Sequence, residues 1–376
     1  MSGRNITLAL ITIIFLVILY FNHDDNVFEP KELSSKYINI VTKENDKSLP
    51  TIALFENEQI PRTEVNKIED FGILGCLPEF SFDEEARKGS IDQYFQSLSE
   101  AEPLYYALYA NPPEDESKLD LLFDYYNHLP NNPIVSIDLI SSCVSSLDNR
   151  CTNDFVKGAI ASDSKNGAAW VSAISFYAAT GNTLGILDSI DALTKTSIFN
   201  ERFGEKSLLY AQALEGSPSN HFNVNALAGI GMAATSFPAY SPITQWCEQG
   251  LDEPEKVNAC LILGEQLETR SKTLISQAIG MALQDMVFKS QGNTEAVRLI
   301  EKKRKELTLS SDNDLYKKAF IMLILDERLL RSWMNNLDIY GEIESQRLLE
   351  DEAETLYKTN ENYLCTLVYG LLDSVI

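Results

Sequence analysis

Four of the six cysteines form two pairs whose spacing indicates disulfide chemistry. Cys143 and Cys151 lie eight residues apart on either side of a polar turn, and Cys247 and Cys260 lie thirteen residues apart around another. Either spacing lets a disulfide join two neighbouring helices, provided that the chain folds in an oxidising compartment. In the alternative interpretation, the four residues are buried thiols.

The other residues of chemical interest give no established motif. Cys76 and Cys365 have no obvious partner and are free to pair across the fold, and none of the cysteine spacings matches a zinc site or a Cys-x-x-Cys redox pair. The three histidines are isolated, and no zinc-protease, nucleophile-elbow or P-loop sequence occurs. Gly229-Ile230-Gly231 begins a mimic of a dinucleotide fingerprint, but no strand precedes it, so we expect close helix packing there. The sequence therefore predicts no catalytic, cofactor-binding or metal site.

One acidic pair keeps an enzymatic interpretation open. Glu344-Ser345 resembles the Glu-Ser pair of lytic transglycosylases, wall-cleaving enzymes that use a single Glu as acid and base. The apolar residues expected after this pair are replaced by Gln346-Arg347. The resemblance implies a cell-wall-directed enzyme as the alternative to a chain that is not an enzyme.

The charge balance argues against nucleic acid as a partner. The chain has 376 residues, with 55 acidic against 31 basic side chains and a formal net charge of −24. A phosphate backbone is bound by basic surfaces, so a chain of this charge is expected to repel it.

The N-terminus contains the strongest signal for location. Residues 6–21 are sixteen consecutive uncharged, largely apolar residues, preceded by Arg4 and followed by Asp24 and Asp25. As a helix this segment is roughly 24 Å long, slightly less than the hydrocarbon core of a bilayer. The flanking charges place the N-terminus in the cytoplasm and the remainder outside. A cleaved signal peptide is the alternative, although no small-residue cleavage site follows.

The sequence divides into three regions. We predict a transmembrane signal anchor at residues 1–21, a polar and partly ordered spacer at residues 22–88, and an all-helical domain at residues 89–376. The spacer contains four prolines and scattered charges. In the third region apolar residues recur at helical spacing, and Pro, Gly and Asn residues separate segments that are each long enough for one helix.

Two helix-breaking segments set a period in the third region. The first segment is residues 130–133 and the second is residues 164–167, and each lies just before an apolar run. The offset between them equals the period of the tetratricopeptide repeat, which is about 34 residues. Trp170, Tyr177 and Gly181 resemble the aromatic and turn positions around the first helix of that family.

The resemblance covers about one repeat well and a second one less well. Ile174 and Ile186 stand where the family has small residues, and Ser136 stands where the first unit would have its Trp. The resemblance implies an α-α superhelix of degenerate helical hairpins. An ordinary helical bundle with a chance period is the alternative.

Together these features predict a location and a class of function. We expect a single-pass protein of the bacterial inner membrane, held through residues 6–21, with its C-terminal body in the periplasm. An α-solenoid offers a surface for protein or peptide partners, so we expect a scaffold or adaptor without a cofactor. The alternative function is the wall-directed enzyme that uses Glu344.

Overall fold

A computed structural model of the protein describes residues 84–146, 148–218, 222–309 and 314–359. All of them belong to one of the two units into which the chain divides, residues 83–376. The predicted membrane segment, most of the predicted spacer, Cys76 and Cys365 lie outside the described residues. Among the helices that are described, none is both long and apolar enough to cross a membrane.

The described residues form sixteen helices and no strand, which confirms the predicted all-α class. The helices are α1 (Glu84–Ser97), α2 (Pro103–Tyr109), α3 (Lys118–His128), α4 (Pro133–Ser146), α5 (Asn153–Ala161), α6 (Gly167–Ala179), α7 (Thr183–Thr194), α8 (Phe203–Ala213), α9 (Phe222–Thr235), α10 (Tyr240–Gln249), α11 (Pro254–Arg270), α12 (Leu274–Ser290), α13 (Thr294–Leu309), α14 (Asp314–Leu325), α15 (Glu327–Tyr340) and α16 (Glu342–Thr359).

Polar residues in the helix-breaking segments set where several helices begin. At α3, Ser117 and Asp120 form a capping box, in which each side chain accepts a hydrogen bond from the backbone N–H of the other residue. Asn166 accepts from the N–H of Ala168 at α6, and Asn182 accepts from the N–H of Gly185 at α7. These contacts satisfy backbone donors that the first turn of a helix leaves unpaired.

The repeat period applies to the first helix of each hairpin. Helix α4 begins at Pro133, and α6 begins at Gly167, one full period later. The second helices, α5 and α7, begin at Asn153 and Thr183, and this offset is shorter than the period. The difference arises because the connection between α4 and α5 is longer than that between α6 and α7.

Stacked hairpins form the main body, which is compatible with a helical-repeat solenoid. Helix α4 packs on α6, α6 on α10, and α10 on α12, while α7 packs on α11. One continuous apolar core runs through these helices and includes Leu139, Ile174, Ile243 and Leu283. We refer to helices α4–α7 and α10–α12 as the stack.

Helices α8 and α9 leave the stack, although they lie between α7 and α10 in sequence. They pack on each other, and α8 also contacts α2 and α15, while α9 contacts α14 and α15. A second apolar cluster joins α8 to the first three helices through residues such as Phe95, Leu121 and Tyr210. We refer to α8 and α9 as the inserted hairpin, because the α10–α11 hairpin packs on α6–α7 as if it followed directly.

Buried polar contacts stabilise the segment before α8, where the chain leaves the stack. The side chain of Asn166, at 0% exposure, donates to the carbonyl of Asn200 and accepts from its N–H, both at 2.8 Å. Arg202 has a positive φ of 58° at the start of α8. Its guanidinium forms ion pairs with Asp163 at 3.0 Å and with Glu205 at 2.8 Å. These contacts hold Arg202 in a conformation that is unfavourable for an L-residue.

The two cysteine pairs that spacing singles out are bonded within the stack. Cys143 of α4 is bonded to Cys151, just before α5, with their Cα atoms 5.7 Å apart. Cys247 of α10 is bonded to Cys260 of α11, with a Cα–Cα distance of 5.9 Å. Each disulfide therefore connects the two arms of one hairpin.

The three residues of the repeat resemblance lie in the α6–α7 hairpin. Tyr177 is buried, and its ring lies so close to Gly185 of α7 that a Cβ there would be 2.8 Å from it. Trp170 is half-buried and donates its indole N–H to the carbonyl of Ser164 at 2.9 Å. Gly181 has a φ of +71° and closes the turn between the helices.

Candidate functional site: a cleft beside the inserted hairpin

A cleft of about 370 Å³ lies where helices α2–α4 meet the inserted hairpin. The lining comes from helices α2, α3 and α4, from α8 and α9 of the inserted hairpin, and from Ser236, Phe237 and Ala239, which follow α9. The apolar part of the lining consists of Leu108, Leu122, Ile134, Met232, Ala233, Phe237 and Ala239. The cleft exists because α8 and α9 leave the stack, which brings Lys206 of α8 against Asp138 of α4.

Helix α4 presents a polar face to this cleft. Asp138, Ser141, Ser142 and Ser145 all line it, and their spacing of i, i+3, i+4 and i+7 places them on one side of the helix. The same helix buries apolar residues on its other sides, among them Leu139 at 0% exposure. The helix therefore contributes to the core and to the cleft at once.

An ion pair connects the inserted hairpin to this polar face. Lys206 of α8, 5% exposed, places its Nζ 2.7 Å from Oδ1 of Asp138. The Ser236 hydroxyl lies 3.5 Å from the other carboxylate oxygen of Asp138. Removing one member of a buried pair leaves the other charge uncompensated, so the two residues depend on each other.

Lys118 brings a second ammonium group to the cleft. It is the first residue of α3, and its Nζ donates to the carbonyl oxygen of Ala110 at 3.2 Å. Among the described residues no carboxylate lies within 4.0 Å of it. Loss of hydration on burial lowers the pKa of Lys118 to about 8, although the charge of Asp138 acts in the opposite direction.

Two uncharged polar groups complete the polar wall. The Ser141 hydroxyl oxygen is buried and has no hydrogen-bond partner within the described structure. Tyr109 lines the same cleft, and burial together with the charge of Asp138 raises the pKa of its phenol well above the usual value. Both hydroxyls are therefore neutral groups near neutral pH, and the Ser141 hydroxyl can serve a bound ligand.

Glu344 and Ser345 occupy positions that do not suit the chemistry of a wall-cleaving enzyme. The side chain of Glu344 is 43% exposed and pairs with Arg347 at 2.6 Å, and this contact lowers the pKa of its carboxyl. A general acid needs the opposite shift, because it must hold a proton near neutral pH. Ser345 is fully buried and donates its hydroxyl to the carbonyl of Gly341. The geometry gives this alternative no support.

Comparison with known proteins identifies no relative of this chain. No protein-family model, curated protein or solved structure matches the chain. The likeness to tetratricopeptide repeats therefore rests on the residues of the α6–α7 hairpin and on the stacking of the hairpins.

Sequence reasoning missed the cleft, although part of its signal is present. Asp138 and the three serines recur at helical spacing within an apolar helix, and this pattern marks a polar face. Lys118 begins the helix that directly precedes α4, but Lys206 lies far from both in sequence, and only the position of the inserted hairpin brings it to the same cleft.

Proposed function

We propose that this chain is a membrane-anchored scaffold or adaptor that binds a protein or peptide partner in the cleft. The observation that carries the proposal is the cleft itself, which is open to solvent and has an apolar part beside a polar helix face. Binding sites commonly combine a mostly apolar surface with a few polar groups that fix orientation. At about 370 Å³ the cleft matches one or two side chains of a partner rather than a whole folded surface.

The proposed location rests on the sequence. The apolar segment 6–21 and its flanking charges favour a single-pass protein of the bacterial inner membrane with residues after 21 in the periplasm. The two disulfides of the stack favour an oxidising compartment. A reporter that is active only in the periplasm, fused after Ile376, is expected to be active; activity of a cytoplasm-only reporter instead would overturn the location.

Photocrosslinking in intact cells tests the binding proposal. A photoreactive amino acid replaces Met232, which is 39% exposed and lines the cleft, in the full-length chain. The control replaces Leu299 of α13, which is 53% exposed and does not line the cleft. We expect a discrete adduct from position 232 that position 299 does not give.

The adduct must also reproduce with purified components. The protein identified in it by mass spectrometry is purified and titrated with the unmodified chain, and we expect saturable binding. Identical adducts from both positions, or none from position 232, would show that the cleft is not the binding surface.

A further inference from the structure

The charged residues that line the cleft leave one positive charge without a counterpart. Lys118, Lys206 and Asp138 are the charged side chains in the described lining, and Lys206 pairs with Asp138. Lys118 has a backbone carbonyl as its acceptor, which supplies no opposite charge. The whole chain is strongly acidic, at −24, so a net positive pocket is unusual for this molecule.

We propose that Lys118 is the binding residue for a single carboxylate on a partly apolar ligand. This inference rests on the proposed function and names the chemistry of the group that enters the cleft. A carboxylate beside Lys118 restores part of the electrostatic stabilisation that the ammonium loses on leaving water.

The unpartnered hydroxyl of Ser141 supports the same assignment independently. Its oxygen is buried and without a hydrogen bond, although it lines the cleft that contains Lys118. A buried hydroxyl without a partner is costly, and an acceptor oxygen on a ligand would satisfy it. A carboxylate has two acceptor oxygens, and both an ammonium and a hydroxyl donate to such oxygens.

The balance of charge and the apolar lining select the ligand class. One uncompensated positive charge is matched by a monoanion, whereas a phosphate monoester brings about two negative charges at neutral pH. Leu122 lies one helical turn from Lys118 and Ile134 one turn from Asp138, and both line the cleft together with Met232. These side chains suit an aliphatic group attached to the carboxylate, as in the last residue of a peptide or in a free carboxylic acid.

The acid–base behaviour of Lys118 adds a pH signature. Because burial lowers its pKa to about 8, the ammonium form that binds an anion becomes scarce above that pH. Binding of the carboxylate is therefore expected to weaken about tenfold between pH 7 and pH 9 and to take up protons near pH 8.

Ligand-observed NMR on the full-length chain tests the proposal with defined probes. The probes are N-acetyl-leucine, its neutral amide N-acetyl-leucinamide, 4-methylpentanoate and inorganic phosphate. We expect millimolar binding of N-acetyl-leucine, as its size allows, and at least tenfold weaker binding of the amide and of phosphate. Stronger binding of N-acetyl-leucine than of 4-methylpentanoate identifies a peptide C-terminus as the source, and equal binding identifies a free carboxylic acid.

Matched variants assign the binding to the cleft. Lys118→Met keeps an unbranched side chain and removes the charge, and we expect at least a tenfold loss of N-acetyl-leucine affinity. Lys157→Met, which removes an exposed lysine on α5 outside the cleft, is expected to bind as the unmodified chain does. Ser141→Ala removes a hydroxyl that has no partner, so it is expected to fold normally and bind several-fold more weakly. This variant keeps the test valid if Lys118→Met fails to fold.

Two results would overturn the inference. Equal binding of the acid and the amide would show that charge does not matter, and unchanged binding by both folded variants would place the carboxylate elsewhere. If crosslinking from position 232 still captures a partner in that case, the proposed function stands without the carboxylate. The opposite result is that position 232 gives no adduct although the carboxylate binds at Lys118. The cleft would then be a site for a small ligand, and the adaptor function would be wrong.

Discussion

Lys118 shows how burial changes the chemistry of one side chain in this protein. Its ammonium donates to the Ala110 carbonyl, and burial lowers its pKa to about 8. At that pKa a sizeable fraction of the side chain is an uncharged amine in mildly alkaline solution, whereas an ordinary lysine is not. Lys118 is therefore mostly a cation at neutral pH and loses its charge more easily than an ordinary lysine as the pH rises.

The first prediction concerns the titration of that residue. Competitive acetylation at several pH values, followed by peptide mass spectrometry, reports the protonation of each lysine. We expect the labelling of Lys118 to have its midpoint near pH 8, with exposed Lys157 labelled in parallel as the reference for reagent access. A midpoint for Lys118 at or above pH 10 would show that burial does not affect it.

The inserted hairpin depends on close approach of its two helices. A Cβ on Gly229 of α9 would lie 2.3 Å from the backbone oxygen of Ser207 of α8, whereas a Cβ on Gly231 would meet nothing within 4 Å. The two glycines are separated by a single residue on the same helix, so they form a matched pair. Gly229 brings α9 against α8 and thereby helps to shape one wall of the cleft.

The second prediction compares alanine at these two glycines. Gly229→Ala is expected to force the helices apart and to destabilise the protein by roughly 2 kcal/mol or more, as overpacking of a tight contact does. Gly231→Ala is expected to stabilise by about 0.5–1 kcal/mol, because alanine favours a helix more than glycine. Urea denaturation followed by circular dichroism measures both, and equal effects would contradict the tight contact.

Two acidic residues, Asp338 near the end of α15 and Glu342 at the start of α16, join these helices to the rest of the described fold. Asp338 accepts hydrogen bonds from the N–H groups of Gly204 and Glu205 at the start of α8. Glu342 accepts from the N–H of Leu274 at the start of α12. Burial raises the pKa of Asp338 to about 6 and that of Glu342 to about 7.

The third prediction is a pH dependence of stability from Glu342. The pKa of Glu342 is higher in the folded than in the unfolded chain. Its contribution to the free energy of unfolding is therefore fully present below about pH 4.5 and is lost as the pH rises through about 7. Glu342→Gln keeps an acceptor for Leu274 without the charge, so it is expected to stabilise by up to roughly 3 kcal/mol at pH 8 and very little at pH 4. The control is Glu344→Gln, which alters a partly exposed carboxylate two residues away. An equal effect of Glu342→Gln at both pH values would exclude the buried charge as the cause.

The fourth prediction concerns the disulfides, each of which connects two arms of a hairpin. In the loop-entropy model, loops of 8 and 13 residues are worth roughly 2.5 and 3 kcal/mol. Reduction is therefore expected to lower the melting temperature while helicity at 25 °C persists, because stacking buries most of the apolar area. Melting curves with and without reductant measure the change, and non-reducing peptide mapping identifies the pairs. Free thiols at all four positions in periplasmic protein would remove the bridges and weaken the argument for an oxidising compartment.

At the scale of the whole molecule, local features were predictable and the path of the chain was not. Asn166 and Asn182 lie in segments that interrupt apolar runs, and both are helix caps in the structure, because capping is a local interaction. Close spacing in the sequence likewise predicted the two disulfides, Cys143–Cys151 and Cys247–Cys260. Nothing local distinguishes residues 203–235 from the next hairpin of the stack, since their partners α2 and α15 are far away in sequence. The cleft could not be predicted for the same reason, because its lining joins the inserted hairpin to helices that are distant in sequence.

The account as a whole depends on the cleft being the surface that binds a partner. Hydrogen–deuterium exchange of the full-length chain, alone and with the protein identified by crosslinking from position 232, measures this directly. We predict slower exchange in α4 and in residues 232–239, most of which line the cleft, and no such slowing with Lys118→Met. Slower exchange confined to α13, which does not line it, or no change on binding, would contradict the account.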